Sequence, residues 1–348
     1  MKKNIIIAFA GIALTFAVYI AVQLLSTLPV GSKTIEVQIP KGATFRQAVE
    51  IFSREGVIRD KNFFILAGRV TGLDRRIRAG YYQIYRPMDA LDLLRVLRDG
   101  QIIEFAVTVI EGDSLQEIAG KLSEKGIVTR ETFLALASDA KFLYTFDIDS
   151  PSAEGYLFPD TYRIPKGMEP RETVAMMINN LRGKLTFEMM ERMEELGFSE
   201  NEILTLASII EKEAVTDDER AVISAVYHNR LKKRIPLQAD PTAIYGIKGS
   251  KEKILLSDLK RKTPYNTYVV RGLPPGPIAS PGIKSIMAAL YPADVPYIYF
   301  VSNNDGTHTF SVTLAEHNAA VRAYREKKKN QDSYEEIDND GMLDDEDS

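Results

Sequence analysis

The spacing of apolar residues changes along this chain from a continuous run, to alternation, to helical periodicity, and the changes mark its parts. From Asn4 to Ser32 there is no charge, and Ile5 to Val22 is almost wholly apolar. About 20 such residues cross a bilayer as a helix, so the pattern predicts a transmembrane span. A cleaved signal peptide is the rival, but its apolar region runs only ~7–15 residues and ends at a small-residue cleavage site. No A-x-A pattern follows this stretch. Lys2 and Lys3 on its short side predict a cytoplasmic N-terminus, with everything after Lys33 outside the cytoplasm.

Beyond the span, two segments match at a constant offset of 70 residues. Val37-Gln38-Ile39-Pro40-Lys41-Gly42-Ala43-Thr44-Phe45 corresponds to Val107-Thr108-Val109-Ile110-Glu111-Gly112-Asp113-Ser114-Leu115. The register persists through Gly56 and Gly126, then through Phe63, Leu66, Ala67 and Phe133, Leu136, Ala137. Each copy predicts an alternating strand, a Gly turn, a short helix opening at Thr44 or Ser114, a Gly stop and a second short helix. The V-x-x-G-D-S-L-x-x-I-A pattern of the second copy resembles a LysM module, the small peptidoglycan-binding unit. The first copy has Gly42-Ala43 where the second has Gly-Asp. A purely architectural βα repeat is the alternative.

At Glu154 the texture changes again: Glu154-Gly155-Tyr156-Leu157-Phe158-Pro159-Asp160-Thr161-Tyr162 is aromatic and rich in turn formers. Helical spacing begins beyond Pro165, and Ser199 with Glu202 forms a capping box. Ile203, Leu204, Leu206, Ala207, Ile209 and Ile210 make the helix that follows apolar nearly all round, which predicts burial. Glu211 falls between Leu204 and Ala207 on the helical wheel, and Glu213 between Leu206 and Ile209. Carboxylates in such places are rare unless paired or functional. Desolvation raises a carboxyl pKa toward the range a general acid needs. A structural ion pair to Lys212, Arg220 or Arg230 explains the same pattern, and periodicity does not choose between the two acids.

Downstream, Leu237-Gln238-Ala239-Asp240-Pro241-Thr242-Ala243-Ile244-Tyr245-Gly246 predicts a helix with Asp240 as N-cap, Pro241 at the first helical position and Gly246 at the stop. Gln238 has no such structural role and could bind a sugar hydroxyl or amide. Thr263-Pro264-Tyr265-Asn266-Thr267-Tyr268 alternates aromatic and polar groups suited to stacking on sugar faces, with a core role as the alternative. Gly272-Leu273-Pro274-Pro275-Gly276-Pro277 must be a stiff loop. Ser280-Pro281 predicts another helix start, running to about Leu290. Tyr297 to Ser302 and Thr307 to Val312 predict a hairpin carrying His308, and Thr313 with Glu316 caps a final helix.

A chain of 348 residues has room for two or three domains, and 45% hydrophobic with 26% charged residues is a globular composition. The net charge of −4 argues against nucleic acid as a partner. Without cysteine there are no disulfides, thiol nucleophiles or thiolate metal sites. From Asp332 to Ser348 the chain is acidic with few apolar residues, which predicts disorder.

In order, Leu206-Ala207-Ser208-Ile209-Ile210-Glu211-Lys212-Glu213, the Gln238–Gly246 motif, Tyr265-Asn266-Thr267-Tyr268, the Gly272–Gly276 loop and Gly306-Thr307-His308-Thr309-Phe310 resemble the endolytic murein transglycosylases, the MltG/YceG-like family. Ala214 and Ala239 stand where the family pattern has threonine. The resemblance implies an α+β chain with a membrane anchor over 1–32, a LysM-like repeat region over 33–150, a mixed catalytic domain with a β-hairpin over 151–326, and an acidic tail over 327–348. It implies Glu211 as the catalytic acid, and cleavage of the β-1,4 bond between N-acetylmuramic acid and N-acetylglucosamine to leave 1,6-anhydro ends. Substrate contacts are expected from Gln238, Asp240, Thr242, Tyr245, Tyr265, Asn266, Tyr268, Pro275 and His308. No metal or organic cofactor is implied. The expected partners are glycan strands and peptidoglycan synthases in the inner membrane. A muramidase using Glu211 with Glu213 or Asp240, and a non-catalytic peptidoglycan-binding scaffold, are the alternatives.

Overall fold

The computed structural model describes residues 2–26, 28, 34–75, 77–85, 88–247 and 254–326. The acidic tail, expected to be disordered, lies outside the described residues. The apolar N-terminal run forms helix α1 (Lys2–Leu25), in which Asn4–Leu25 is long and apolar enough to cross a membrane.

The chain divides into two contact-dense units: Met1–Val107 with Arg163–Glu169, and Thr108–Tyr162 with everything from Pro170 on. In the first unit, β1 (Ile35–Ile39) leads to α2 (Phe45–Arg54) and α3 (Lys61–Thr71). Then come β2 (Gly80–Ile84) and α4 (Ala90–Asp99). Strand β1 pairs antiparallel with β2, setting Val37 opposite Tyr82. Alternation turns Val37 and Ile39 inward, where they meet Phe45, Ala48, Val49 and Phe52, the one-sided stripe of α2.

Strand β3 (Glu104–Val109) opens the second copy of the repeat, followed by α5 (Leu115–Glu124) and α6 (Arg130–Ala137). The copies agree in detail. Thr44 and Ser114 are both N-caps with full capping boxes to Gln47 and Glu117. Gly42 and Gly112 hold φ of +80° and +81°, a left-handed turn that glycine adopts without strain. The division into units falls between the copies, whereas the sequence-based boundary lay near residue 150; the second copy belongs to the unit that holds Glu211.

After the short α7 (Ala140–Tyr144), β4 (Asp160–Pro165) pairs with β3. Helices α8 (Pro170–Lys184), α9 (Phe187–Leu196) and α10 (Glu200–Glu213) follow, then α11 (Arg220–Lys232). Short helices α12 (Asp240–Ile244) and α13 (Leu256–Leu259) precede α14 (Ile283–Leu290). An antiparallel hairpin of β5 (Tyr299–Ser302) and β6 (His308–Ser311) leads to a last helix, α15, over 314–326. Helix α10 is the centre of this unit: every residue from Ile203 to Ile210 is buried, and α9, α11, α12 and α14 pack around it. The Ser199–Glu202 capping box holds its start, with Ser199 N–H to Glu202 at 2.8 Å.

Two expected helix starts shift. The N-cap of α12 is Ala239, so Asp240 is already helical, and its carboxylate accepts from the Tyr268 hydroxyl at 2.5 Å. Helix α14 starts at Ile283 with Gly282 as N-cap, not at Ser280-Pro281. The backbone of Ser280 is drawn elsewhere: its N–H donates to the Asp113 carbonyl and its carbonyl accepts from Gly112, both at 2.8 Å.

Candidate active site

Glu211 lies in the last turn of α10, and its side chain keeps only 6% of its surface exposed. One carboxylate oxygen accepts from Nη1 of Arg220 at 3.0 Å, the other from the backbone N–H of Gly282 at 2.9 Å. Arg220 is as enclosed, and it also donates to Asp217 at 3.1 Å and to the Ser285 hydroxyl. Asp217 in turn pairs with Lys284. So the ends of α10, α11 and α14 converge on one acid, and charge-assisted hydrogen bonds offset the loss of water around it. A negative group at the N-terminus of α14 is also favoured by the helix dipole.

The turn of the second repeat copy closes against the same place. Besides the two bonds to Ser280, the Gly112 carbonyl accepts from Lys212 Nζ at 3.1 Å. Asp113 stiffens the turn by accepting from the Ile110 N–H at 2.8 Å and pairing with Lys121.

Glu213 points away from Glu211 into a second polar network. Burial pushes its pKa up to about 8, helped by the negative charge of Asp240 and opposed by the Tyr227 hydroxyl. The expected raised carboxyl therefore occurs here. Tyr268 donates to Asp240, and Arg230 reaches Gln238 Oε1 at 3.3 Å and the Leu237 carbonyl at 2.7 Å. Gln238 is exposed with φ +51°, so its side chain projects from a turn few residues adopt.

Of the other expected substrate contacts, Thr242 and Asn266 are fully buried. Thr242 Oγ1 donates to the Ala239 carbonyl and meets Thr267 Oγ1 at 2.8 Å. Asn266 Nδ2 serves the carbonyls of Asp258, Leu259 and Arg261. In this structure both residues shape loops and have no polar group left to offer a ligand. Pro275 is exposed, and its carbonyl accepts from Asn201 at 3.0 Å. His308 contacts Glu219 through Nδ1 at 2.7 Å, and its backbone N–H reaches the same carboxylate. That ties the β-hairpin to the residue before Arg220.

Tyr245 and Tyr265 stack with centroids 4.6 Å apart, and the Tyr245 hydroxyl donates to Glu154 at 2.9 Å. Glu154 opens the aromatic stretch read from the sequence but carried no expected role there. It is 2% exposed and also accepts from the Leu115 N–H, the first turn of α5, at 2.8 Å. Burial outweighs these two donors and raises its pKa to about 7. Gly282 and Glu154 are brought in by contacts between distant segments, for which the local pattern holds no signal, whereas Arg220 was one of three basic partners the sequence offered. Among the described residues, no group of three or more His, Asp or Glu side chains is arranged to hold a metal ion.

The sequence profile of the YceG-like family matches residues 37–323. An endolytic murein transglycosylase of Bacillus subtilis is 31% identical over 310 residues, covering 85% of this chain and 86% of the relative. One from Streptococcus pneumoniae is 26% identical, covering 88% of this chain and 61% of its own length. A crystal structure of a yceG-like protein from Listeria monocytogenes superposes with a TM-score of 0.57 at 29% identity, covering 83% of this chain and 99% of that one.

Proposed function

The chain belongs to the YceG-like family, and from that premise we propose that it is an endolytic peptidoglycan transglycosylase in which Glu211 is first the general acid and then the base. The observation that carries this reading is the convergence of three helix ends on one enclosed carboxylate. Arg220 and the Gly282 N–H fix the direction of Glu211, while each of its oxygens keeps a lone pair for a proton.

Glu211 protonates the glycosidic oxygen between N-acetylmuramic acid and N-acetylglucosamine, and the C1–O bond breaks with its electron pair on that oxygen. Positive charge builds on C1 and the ring oxygen of the muramic acid. The C6 hydroxyl then closes on C1, and its proton returns to Glu211, leaving a 1,6-anhydro end. An internal nucleophile removes the need for a second carboxylate to activate water, which hydrolases place about 5–10 Å away. Exposed Gln238, Asp240 and Pro275, with Tyr245, Tyr265, Tyr268 and His308, are the proposed contacts along the strand.

Helix α1 is proposed as an anchor in the cell membrane, N-terminus inside, with the rest of the chain facing the wall. The repeat over 33–150 is read as LysM-like, supported by the matched caps and turns of its two copies. The domain over 151–326 carries the chemistry, on strands delivered by peptidoglycan synthases.

A muramidase reading pairs Glu211 with Glu213 or Asp240, but both of these belong to the second polar network, turned away from Glu211. Mass spectrometry of digested glycan separates the two, because anhydro ends are lighter by one water than reducing ends. Glu211→Gln is expected to abolish cleavage while the protein still folds and binds glycan, with a lowered melting temperature because Arg220 loses its enclosed charged partner. Full activity in that variant rejects the assignment of Glu211, whereas glycan binding without any cleavage by the parent protein favours the binding scaffold.

A further inference from the structure

Gly282 does two things at once. Its N–H holds Glu211, and its missing side chain makes room for another carboxylate: a methyl group there would overlap the carboxylate of Glu111. Going from Glu111 Oε1 through the Cα and N of Gly282 to Glu211 Oε2, standard bond lengths put the two acids no more than about 8 Å apart. Glu111 is the residue before Gly112 in the turn of the second repeat copy. That turn is pinned by the paired bonds between Gly112, Asp113 and Ser280 and by Lys212. These bonds hold the backbone of the turn beside Gly282, and from there the Glu111 side chain reaches across it.

The surroundings leave Glu111 available. Glu211 is enclosed, whereas Glu111 is exposed. The charged groups around it are Lys284, which is tied to Asp217, Lys212, which is turned to the Gly112 carbonyl, and the Glu211–Arg220 pair. None of these is hydrogen-bonded to Glu111.

We infer that Glu111 is the second carboxylate of this active site, supplied by the repeat and not by α10 or α12, and that it stabilises the positive charge on the sugar ring as the glycosidic bond breaks. The inference rests on the proposed transglycosylase reading. It makes the turn of the second copy part of the catalytic apparatus, distinct from any sugar-binding role of that copy. The carboxylate forms no bond and moves no proton; it opposes the charge that develops at C1 and the ring oxygen.

The test uses the full-length protein in detergent with polymerised, unmodified glycan strands, comparing Glu111→Gln, Glu111→Asp and Glu211→Gln with the parent. Glu111→Gln is expected to lower kcat about 10- to 100-fold with KM within about threefold, because the interaction strengthens only in the transition state. Products keep their anhydro ends, and Glu111→Asp, which keeps the charge, recovers part of the loss. A kcat within about twofold of the parent in folded Glu111→Gln overturns the inference. So does an equal loss in the Gln and Asp variants that follows a lowered melting temperature, since that marks a structural role. If Glu211→Gln is silent while Glu111→Gln is fully active, only this inference fails. If Glu211→Gln still cleaves, the underlying reading fails and this one with it.

Discussion

Glu211 and Arg220 illustrate how one residue's value depends on what is left when its partner goes. Both side chains are almost fully enclosed, and Arg220 also binds Asp217 and Ser285. Removing one member of such a pair strands the other charge away from water, at a cost of about 3–5 kcal/mol. Arg220→Ala is therefore expected to lower unfolding free energy by that order and to cut cleavage severely, read by urea denaturation and glycan digestion. Arg220→Lys keeps the charge but not the planar fork that reaches three partners, so it recovers stability only in part. The sequence offered Arg220 as one of three possible partners for a buried acid, and Gly282 not at all. Periodicity reports which face of a helix is apolar, but not which distant backbone N–H meets it. The same limit applies to Thr242 and Asn266: their motif was visible, but their burial against Thr267 and the 258–261 carbonyls was not.

Elements were most legible where their signals are local. The capping boxes read at Ser199–Glu202 and Thr313–Glu316 join residues three apart and both form, and the helix starts read at Thr44 and Ser114 turn out to be boxed as well. Ser199→Ala removes the side-chain acceptor for the Glu202 N–H and is expected to cost about 1 kcal/mol, measured by chemical denaturation, with little change in cleavage. Helix starts predicted from a cap followed by proline held less well. At Asp240-Pro241 the helix begins one residue early because the Asp240 carboxylate is engaged by Tyr268. At Ser280-Pro281 it begins late because the Ser280 backbone pairs with the 112–113 turn before the chain can coil. In both cases a contact made across the fold outcompetes a local preference.

For the whole molecule, Glu154 couples stability to pH. Buried in the native state, it keeps its proton up to about pH 7, whereas the unfolded chain releases it near the ordinary value of 4.5. The native state thus binds more protons at this group between those limits, so the contribution of Glu154 to stability is full below pH 4.5 and declines as pH rises to about 7, by roughly 3 kcal/mol. Glu213, raised to about 8, acts in the same direction. The melting temperature of the full-length protein is expected to fall between pH 5 and 8, and Glu154→Gln to flatten that slope in a thermal scan at several pH values. The strand pair β3–β4 has a separate consequence for dissecting the gene. The Lys166 N–H to Ile103 bond just beyond its end belongs to the first unit, and its Thr108–Thr161 hydroxyl contact to the second. The chain crosses from one unit to the other inside both strands, so no single truncation point separates them. A protein begun at residue 108 would keep 163–169 while discarding the segment those residues fold with, leaving the Lys166 N–H without its acceptor. The units are two in packing but one in heredity: neither can be lost or exchanged by a simple end deletion.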